Sequence, residues 1–182
     1  MKKILIAGAG GQLGREFTDY LSGRGVDFIA PAEQDFDVTD FDSIGAAVRR
    51  IKPGIIINCA AYNQVDAAED EPDTAFKVNA GAVRNLAALC RQENIFLVHY
   101  SSDYVFDGSK GSPYTEEDAP NLYGKSKLEG ERAVQETLRD YLIFRTSWVF
   151  GKGKQNFLYK LSSWAKEKKE LRIAEDEVSC PT

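Results

Sequence analysis

The chain has 182 residues, 43% hydrophobic and 28% charged, which suffices for one well-packed domain and is short for two. A net charge of −5 and a pI near 5.0 argue against nucleic acid as the main partner, since phosphate binding favours a basic face. No apolar run approaches the roughly 20 residues of a membrane span, so no membrane association is expected. Three cysteines, Cys59, Cys90 and Cys180, form neither a paired disulfide framework nor a metal-ligand spacing, which suits a reducing cytoplasm.

Residues 3–7 read as a strand covered on both faces, too short to be the apolar part of a signal peptide. The turn Gly8-Ala9-Gly10-Gly11-Gln12-Leu13-Gly14 follows, and Leu13, Phe17, Tyr20 and Leu21 then repeat at helical spacing. Strand, glycine turn and helix in this order suit a dinucleotide. Glycines at 8, 11 and 14 permit a tight turn, close approach of a pyrophosphate and packing of the helix on the sheet, while the helix N-terminus offers N–H groups to the phosphates. Val26 to Ala30 is the second strand. Where an acid would hold a ribose 2′-hydroxyl stand Ala30-Pro31-Ala32, with Glu33 next and Arg15 nearby, so NADH and NADPH both stay open.

Phe36-Asp37-Val38 reads as a short edge strand, and Thr39 or Asp40 caps a helix over 41–51. Ile55-Ile56-Ile57-Asn58 is a buried strand ending at Ala60-Ala61-Tyr62. A long helix is expected from a cap at Asp73 to about 91, with Val78, Ala82, Leu86 and Leu89 inward and Asn79 solvated. Ile95 to Tyr100 is the next strand and runs into Ser101-Ser102-Asp103-Tyr104-Val105-Phe106. The only histidine, His99, is expected to pack in that strand rather than act as a base. Residues 107–121 read as a surface loop, Tyr141 to Arg145 as a strand, 156–168 as a helix and Leu171 to Ile173 as a last short strand. Alternating strands and helices imply an α/β, doubly wound parallel sheet whose ligands sit at the C-terminal strand ends.

Tyr123-Gly-Lys-Ser-Lys127 opens the helix after the loop, and a Tyr and a Lys four residues apart share one helix face. An isolated Tyr has a pKa near 10. A cation about 4 Å away, at an effective dielectric of about 20, is worth about 4 kcal/mol, or about 3 pKa units. Lys127 is therefore expected to lower the Tyr123 phenol and make it a usable proton donor.

Glycine turn, Ser102 and the Tyr123–Lys127 pair, in this order, resemble the short-chain dehydrogenase/reductase superfamily, and Gly8-x-x-Gly11-x-x-Gly14 resembles its extended branch. Gly11-Gln12-Leu13-Gly14, Asn58-Cys59-Ala60-Ala61-Tyr62, Tyr100-Ser101-Ser102-Asp103-Tyr104-Val105-Phe106 and Arg145-Thr146-Ser147-Trp148-Val149-Phe150-Gly151 are similar to the dTDP-4-dehydrorhamnose reductase family across essentially the whole chain. The resemblance implies a Rossmann-type, three-layer α/β/α domain over 1–182 that binds NADPH or NADH and reduces the 4-keto group of dTDP-4-dehydro-6-deoxy-L-mannose to dTDP-L-rhamnose. It implies Tyr123 as proton donor, Lys127 as holder of the nicotinamide ribose, Ser102 as partner of the carbonyl oxygen in a place where the family more often has Thr, and Asn79 as the residue that positions Lys127 through water. Gly8, Gly11, Gln12, Leu13 and Gly14 would cradle the pyrophosphate, Asp37 and Val38 would contact adenine, and Ala60, Ala61 and Tyr62 would line the cofactor. Ser102, Asp103, Tyr104, Val105, Trp148 and Asn156 would face the nucleotide-sugar.

The same resemblance implies a homodimer and allows Mg2+, for which no ligands are assigned. Tyr104 stands where nucleotide-sugar 4,6-dehydratases carry Glu, so elimination lacks its base, while epimerases stay open. A non-catalytic NADP-binding regulatory subunit, as in methionine adenosyltransferase, is the alternative from another class. Family members continue for roughly another hundred residues beyond the Cys180-Pro181-Thr182 segment. The substrate half, expected to begin between about 150 and 182, is thus mostly absent. The 182 residues alone are expected to hold cofactor weakly and turn over little.

Overall fold

In the computed structural model, which describes residues 2–106, 110–111, 121–154 and 156–173, the apolar runs become one parallel sheet. Its strands are Ile4–Ala7 (β1), Phe28–Ile29 (β2), Ile55–Asn58 (β3), Phe96–Ser102 (β4) and Tyr141–Thr146 (β5), in the order β2-β1-β3-β4-β5. The helices are Gln12–Ser22 (α1), Phe41–Ile51 (α2), Ala67–Asp70 (α3), Pro72–Phe76 (α4), Ala82–Glu93 (α5), Leu122–Thr137 (α6) and Phe157–Glu167 (α7). The chain steps outward from β1 to β2 and then returns past β1 to β3. That reversal separates the two crossovers and opens a crevice beyond the C-terminal ends of β1 and β3.

Helices α2, α5 and α6 cover one face of the sheet, where Leu5, Ile44, Val48, Ile56, Leu86, Leu97 and Val134 form a continuous buried core. Full burial of each such side chain stabilises the fold by roughly 1.5–3 kcal/mol. The opposite face carries α1, whose Phe17 ring meets Tyr100 of β4 at 6.0 Å, and Tyr100 in turn stacks on Phe144 of β5. Towards β5 this second face is open, with Leu142 and Phe144 48% and 44% exposed.

Four expectations change. Phe36-Asp37-Val38 pairs with no strand: a 3-10 turn at Glu33–Asp35 leads Phe36 into the core, and Asp37 Oδ1 accepts from Thr39 N and Thr39 Oγ1, both at 2.8 Å. That bond takes up the Thr39 hydroxyl, so Asp40 caps α2, accepting from Asp42 N and Ser43 N. The second strand shortens to two residues at the sheet edge. Leu171 to Ile173 forms no strand. The helix expected from Asp73 starts with Pro72 at its first turn, where a missing N–H costs nothing, and widens into a π turn at Lys77–Gly81 before α5. Most of the 107–121 loop and Cys180 lie outside the described residues.

The π turn has a packing partner. Gly130 of α6 lies so close to the Asn79 carbonyl that an added Cβ would collide with it. Gly130→Ala is therefore expected to destabilise the chain by about 1–3 kcal/mol. Urea unfolding measures this against Gly111→Ala, whose site has nothing within 4 Å; equal midpoints for the two variants would show that α6 is not seated this tightly.

Candidate active site

Gly8 leaves β1 with φ +71, and a Cβ there would stand 2.5 Å from the Ala60 nitrogen, so the turns after β1 and β3 touch across the crevice. At Gly14 a side chain would run into the Gly8 carbonyl and the Ala9 backbone. These two glycines let the turn fold under α1. Gly11 is the N-cap of α1 and supplies no side-chain cap, which leaves the helix end open to an anion. Gln12 Nε2 donates to the Val149 carbonyl at 2.7 Å, and Glu16 accepts from Lys152 N at 2.8 Å. The segment after β5 is thereby tied to α1 beside the glycine turn. These residues fit a dinucleotide pyrophosphate.

Ser102 ends β4 and Tyr123 opens α6, each 7% exposed. Asn121 caps α6 by accepting from Gly124 N at 2.6 Å, and Glu69 of α3 accepts from Leu122 N, which fixes where the helix begins. Tyr123 packs against Ala68, Ala75, Tyr62, Val65 and Tyr104, the Tyr104 ring edge-on at 5.8 Å. Ser102 Oγ accepts from Tyr104 N and donates to Asp103 Oδ1, both at 3.2 Å, and lies near the Tyr123 phenol. Burial pushes that phenol above its ordinary value; the Ser102 hydroxyl pulls it down and Asp103 adds to the rise.

Lys127, 2% exposed, donates from Nζ to the Tyr100 carbonyl of β4 at 2.6 Å. Burial draws its ammonium down to about 8, opposed by Glu131. The expectation that Lys127 lowers the Tyr123 phenol is thus corrected. In this chain the ammonium is turned to a β4 carbonyl, and desolvation of the phenol outweighs the rest.

Asn79 is 1% exposed, not solvated. Its Oδ1 accepts from Tyr62 N at 3.0 Å, and its Nδ2 donates to Tyr62 O at 2.9 Å and to Ser126 Oγ at 3.0 Å. Ser126 Oγ donates onward to the Tyr123 carbonyl at 2.7 Å. One amide thus joins the segment after β3, the π turn and the first turn of α6. Sequence reading missed this clamp, and missed two buried pairs beneath α6. Asn58 Nδ2 meets His99 Nδ1 at 3.1 Å, and Arg145 of β5 grips Glu131 of α6 with two hydrogen bonds. Because Asn58 Oδ1 already accepts from Ala60 N, its NH2 faces the ring, so His99 carries its proton on Nε2, which meets no partner among the described residues. His99 is fully buried and held neutral, well below the usual histidine range, first by burial and then by Lys127. It packs, as expected. The one signal for Glu131 was its place four residues after Lys127.

The other expected residues spread outward. Asp37 is exposed and Val38 packs partly against the core. Ala60, Ala61 and Tyr62 follow β3 along the crevice, and Val105 is fully buried. Trp148 adopts φ 45 and packs edge-on against Phe157 at 4.9 Å. Asn156 caps α7 at Tyr159 N and donates to the carbonyls of Gly151 and Gly153, so its polar atoms hold its own loop. Among the described residues no three His, Cys, Asp or Glu side chains converge on a metal position, and no helix is long and apolar enough to cross a membrane. Cys59 and Cys90 are unpaired thiols pushed up to about 12 by burial.

Residues 1–182 match the family described as RmlD substrate binding domain. A dTDP-4-dehydrorhamnose reductase of Burkholderia thailandensis is 44% identical over 183 residues, covering 99% of this chain and 61% of its own length. The chain thus spans about three fifths of that curated relative. A dTDP-4-dehydrorhamnose reductase ortholog from Clostridium acetobutylicum superposes with a TM-score of 0.92 at 42% identity, over 99% of this chain and 65% of its own. The dTDP-4-dehydrorhamnose reductase of Bacillus anthracis, solved in complex with NADP, gives 0.86 at 38% identity, over 93% and 62%.

Replacing the clamp tests the geometry directly. Asn79→Ala strands buried groups of Tyr62 and Ser126, at about 1–3 kcal/mol for each unsatisfied partner, so the thermal midpoint should fall by several degrees. A melting curve superimposable on that of the parent would show that the clamp holds nothing.

Proposed function

The chain belongs to the RmlD substrate binding domain family, and from that membership and the site geometry we propose that it is the cofactor-binding and proton-donating part of a reductase acting on the 4-keto group of dTDP-4-dehydro-6-deoxy-L-mannose, giving dTDP-L-rhamnose. The observation that carries the proposal is the placing of Ser102, at the end of β4, near the buried Tyr123 phenol, with Lys127 one turn along the same helix, beside a glycine crevice. Relatives 39–44% identical that are named dTDP-4-dehydrorhamnose reductase support the substrate, and the NADP bound by a 38% identical one supports the cofactor.

Bound NADPH or NADH supplies a hydride to the carbonyl carbon. The residues of this chain do the rest. Gly8, Gly11, Gln12, Leu13 and Gly14 receive the pyrophosphate at the α1 terminus, Asp37 and Val38 border the adenine, and Ala60, Ala61 and Tyr62 flank the cofactor along β3. A phenol raised by burial stays protonated at neutral pH, so Tyr123 enters the reaction with its proton in place. Ser102 holds the carbonyl oxygen, and Tyr123 releases its proton there as negative charge develops. Lys127 uses one of its three N–H donors on the Tyr100 carbonyl, which leaves donors for a ribose hydroxyl. Asp103, Tyr104 and Trp148 border the sugar side, with the fully buried Val105 and the loop-holding Asn156 supporting it from behind, and a substrate half that begins between about 150 and 182 completes it. The proposed assembly is a homodimer, and no cation is assigned to it.

The test follows NADPH and NADH oxidation with the keto sugar, and NADPH binding by fluorescence, for the parent and Tyr123→Phe. Turnover by the 182-residue chain is expected to be slow, so the ratio decides. Tyr123→Phe should lower the rate on the order of 10²–10⁴-fold with binding retained. An equal rate would remove Tyr123 as the donor.

A further inference from the structure

Glu131 lies one helical turn beyond Lys127 on α6 and is 2% exposed. Its Oε1 accepts from Arg145 Nε at 2.9 Å and its Oε2 from Arg145 Nη2 at 2.7 Å. Arg145 stands on β5 at the level of Ser101, with its guanidinium carbon 4.9 Å from the centre of the Phe106 ring. A buried fork of this kind is no better for stability than a well-packed apolar pair. A charge at this place therefore needs another reason, and the neighbour one turn back supplies it.

Lys127 is buried with one backbone carbonyl, Tyr100 O, as its hydrogen-bond acceptor. From β4 it faces His99, which is kept neutral, and Asn58 of β3 lies against that ring. The π turn presents Asn79, which carries no charge. On its own helix stand the Tyr123 phenol and Glu131, and Asp103 acts on Tyr123 from the turn after β4. Among the described residues Glu131 is thus the buried carboxylate one helical turn from Lys127, close enough to act on its charge without forming an ion pair with it, and Arg145 is the β5 cation that orients it.

Resting on the reductase reading above, we propose that Glu131, held by Arg145, is a positioning residue that keeps the Lys127 ammonium charged in its buried site, so that it can serve the cofactor. Burial lowers the ammonium and Glu131 opposes that fall, in accord with the geometry. Without the carboxylate, Lys127 would lose its proton at lower pH.

The experiment follows the Lys127 side-chain resonances of the 182-residue chain, labelled with 13C,15N-lysine and assigned with Lys127→Arg, through a pH titration without cofactor or substrate. The parent midpoint is expected at about 8. In Glu131→Gln, isosteric and still able to accept from Arg145, it should fall by about one pH unit. Glu131→Asp, which keeps the charge, should stay nearer the parent. Arg145→Gln, which leaves the carboxylate facing Lys127 alone, should move the midpoint up. Opposite shifts separate a charge effect from loosened packing, which would move both variants the same way. An unchanged midpoint in Glu131→Gln overturns the proposal, as do equal shifts in the two variants; if Glu131→Gln does not fold, a null or downward shift in Arg145→Gln does so alone. These outcomes are independent of turnover. Absent NADPH oxidation in the parent would count against the reductase reading, and an unmoved Lys127 against Glu131.

Discussion

A lysine with 2% of its surface exposed, Lys127, is the constraint around which this fold is arranged. Burying such a charge is costly unless a hydrogen-bond acceptor and an opposite charge come with it. The Tyr100 carbonyl and Glu131 meet those needs, but only if α6 lies close against β4 and β5. That seating explains why α6 buries residues around most of its circumference, Tyr123, Ser126, Lys127, Leu128, Glu131 and Val134 among them. It also explains why Gly130 has no side chain where the Asn79 carbonyl approaches, and why the helix before α5 widens to a π turn at that point.

Local pattern carried much of the architecture. The strand, glycine turn and helix at the N-terminus were legible because burial, turn chemistry and helical period agree over 20 residues, and β3, β4 and β5 were legible as apolar runs. Ser102, Tyr123 and Lys127 could be named from spacing and resemblance, and the structure brings Ser102 and Tyr123 near one another. Phe36 misled because an apolar residue entering the core from a turn looks, in one dimension, like the start of a strand. Asn79 misled because a helical Asn usually faces water, and only the fold places the Tyr62 backbone opposite it.

What stayed hidden is long-range and polar. Gln12 with Val149, Glu16 with Lys152, and Asn58 with His99 join residues 41 to 137 positions apart, and no periodicity links their ends. The state of the Tyr123 phenol was hidden for a related reason. Spacing suggested a cation beside it, whereas the balance is set by how completely Ala68, Ala75, Val65 and Tyr104 exclude water from the ring. A donor of this kind works by retaining its proton until charge appears on the acceptor, which suits reduction of a carbonyl.

The central claim, that Tyr123 is a buried phenol held protonated near Ser102, is tested most directly by a 13Cζ-tyrosine NMR titration of the free chain. The account predicts a Tyr123 midpoint above the ordinary tyrosine value, rising further in Ser102→Ala because the hydroxyl that opposes the effect of burial is gone. A midpoint at or below the ordinary value, unmoved by Ser102→Ala, would contradict it.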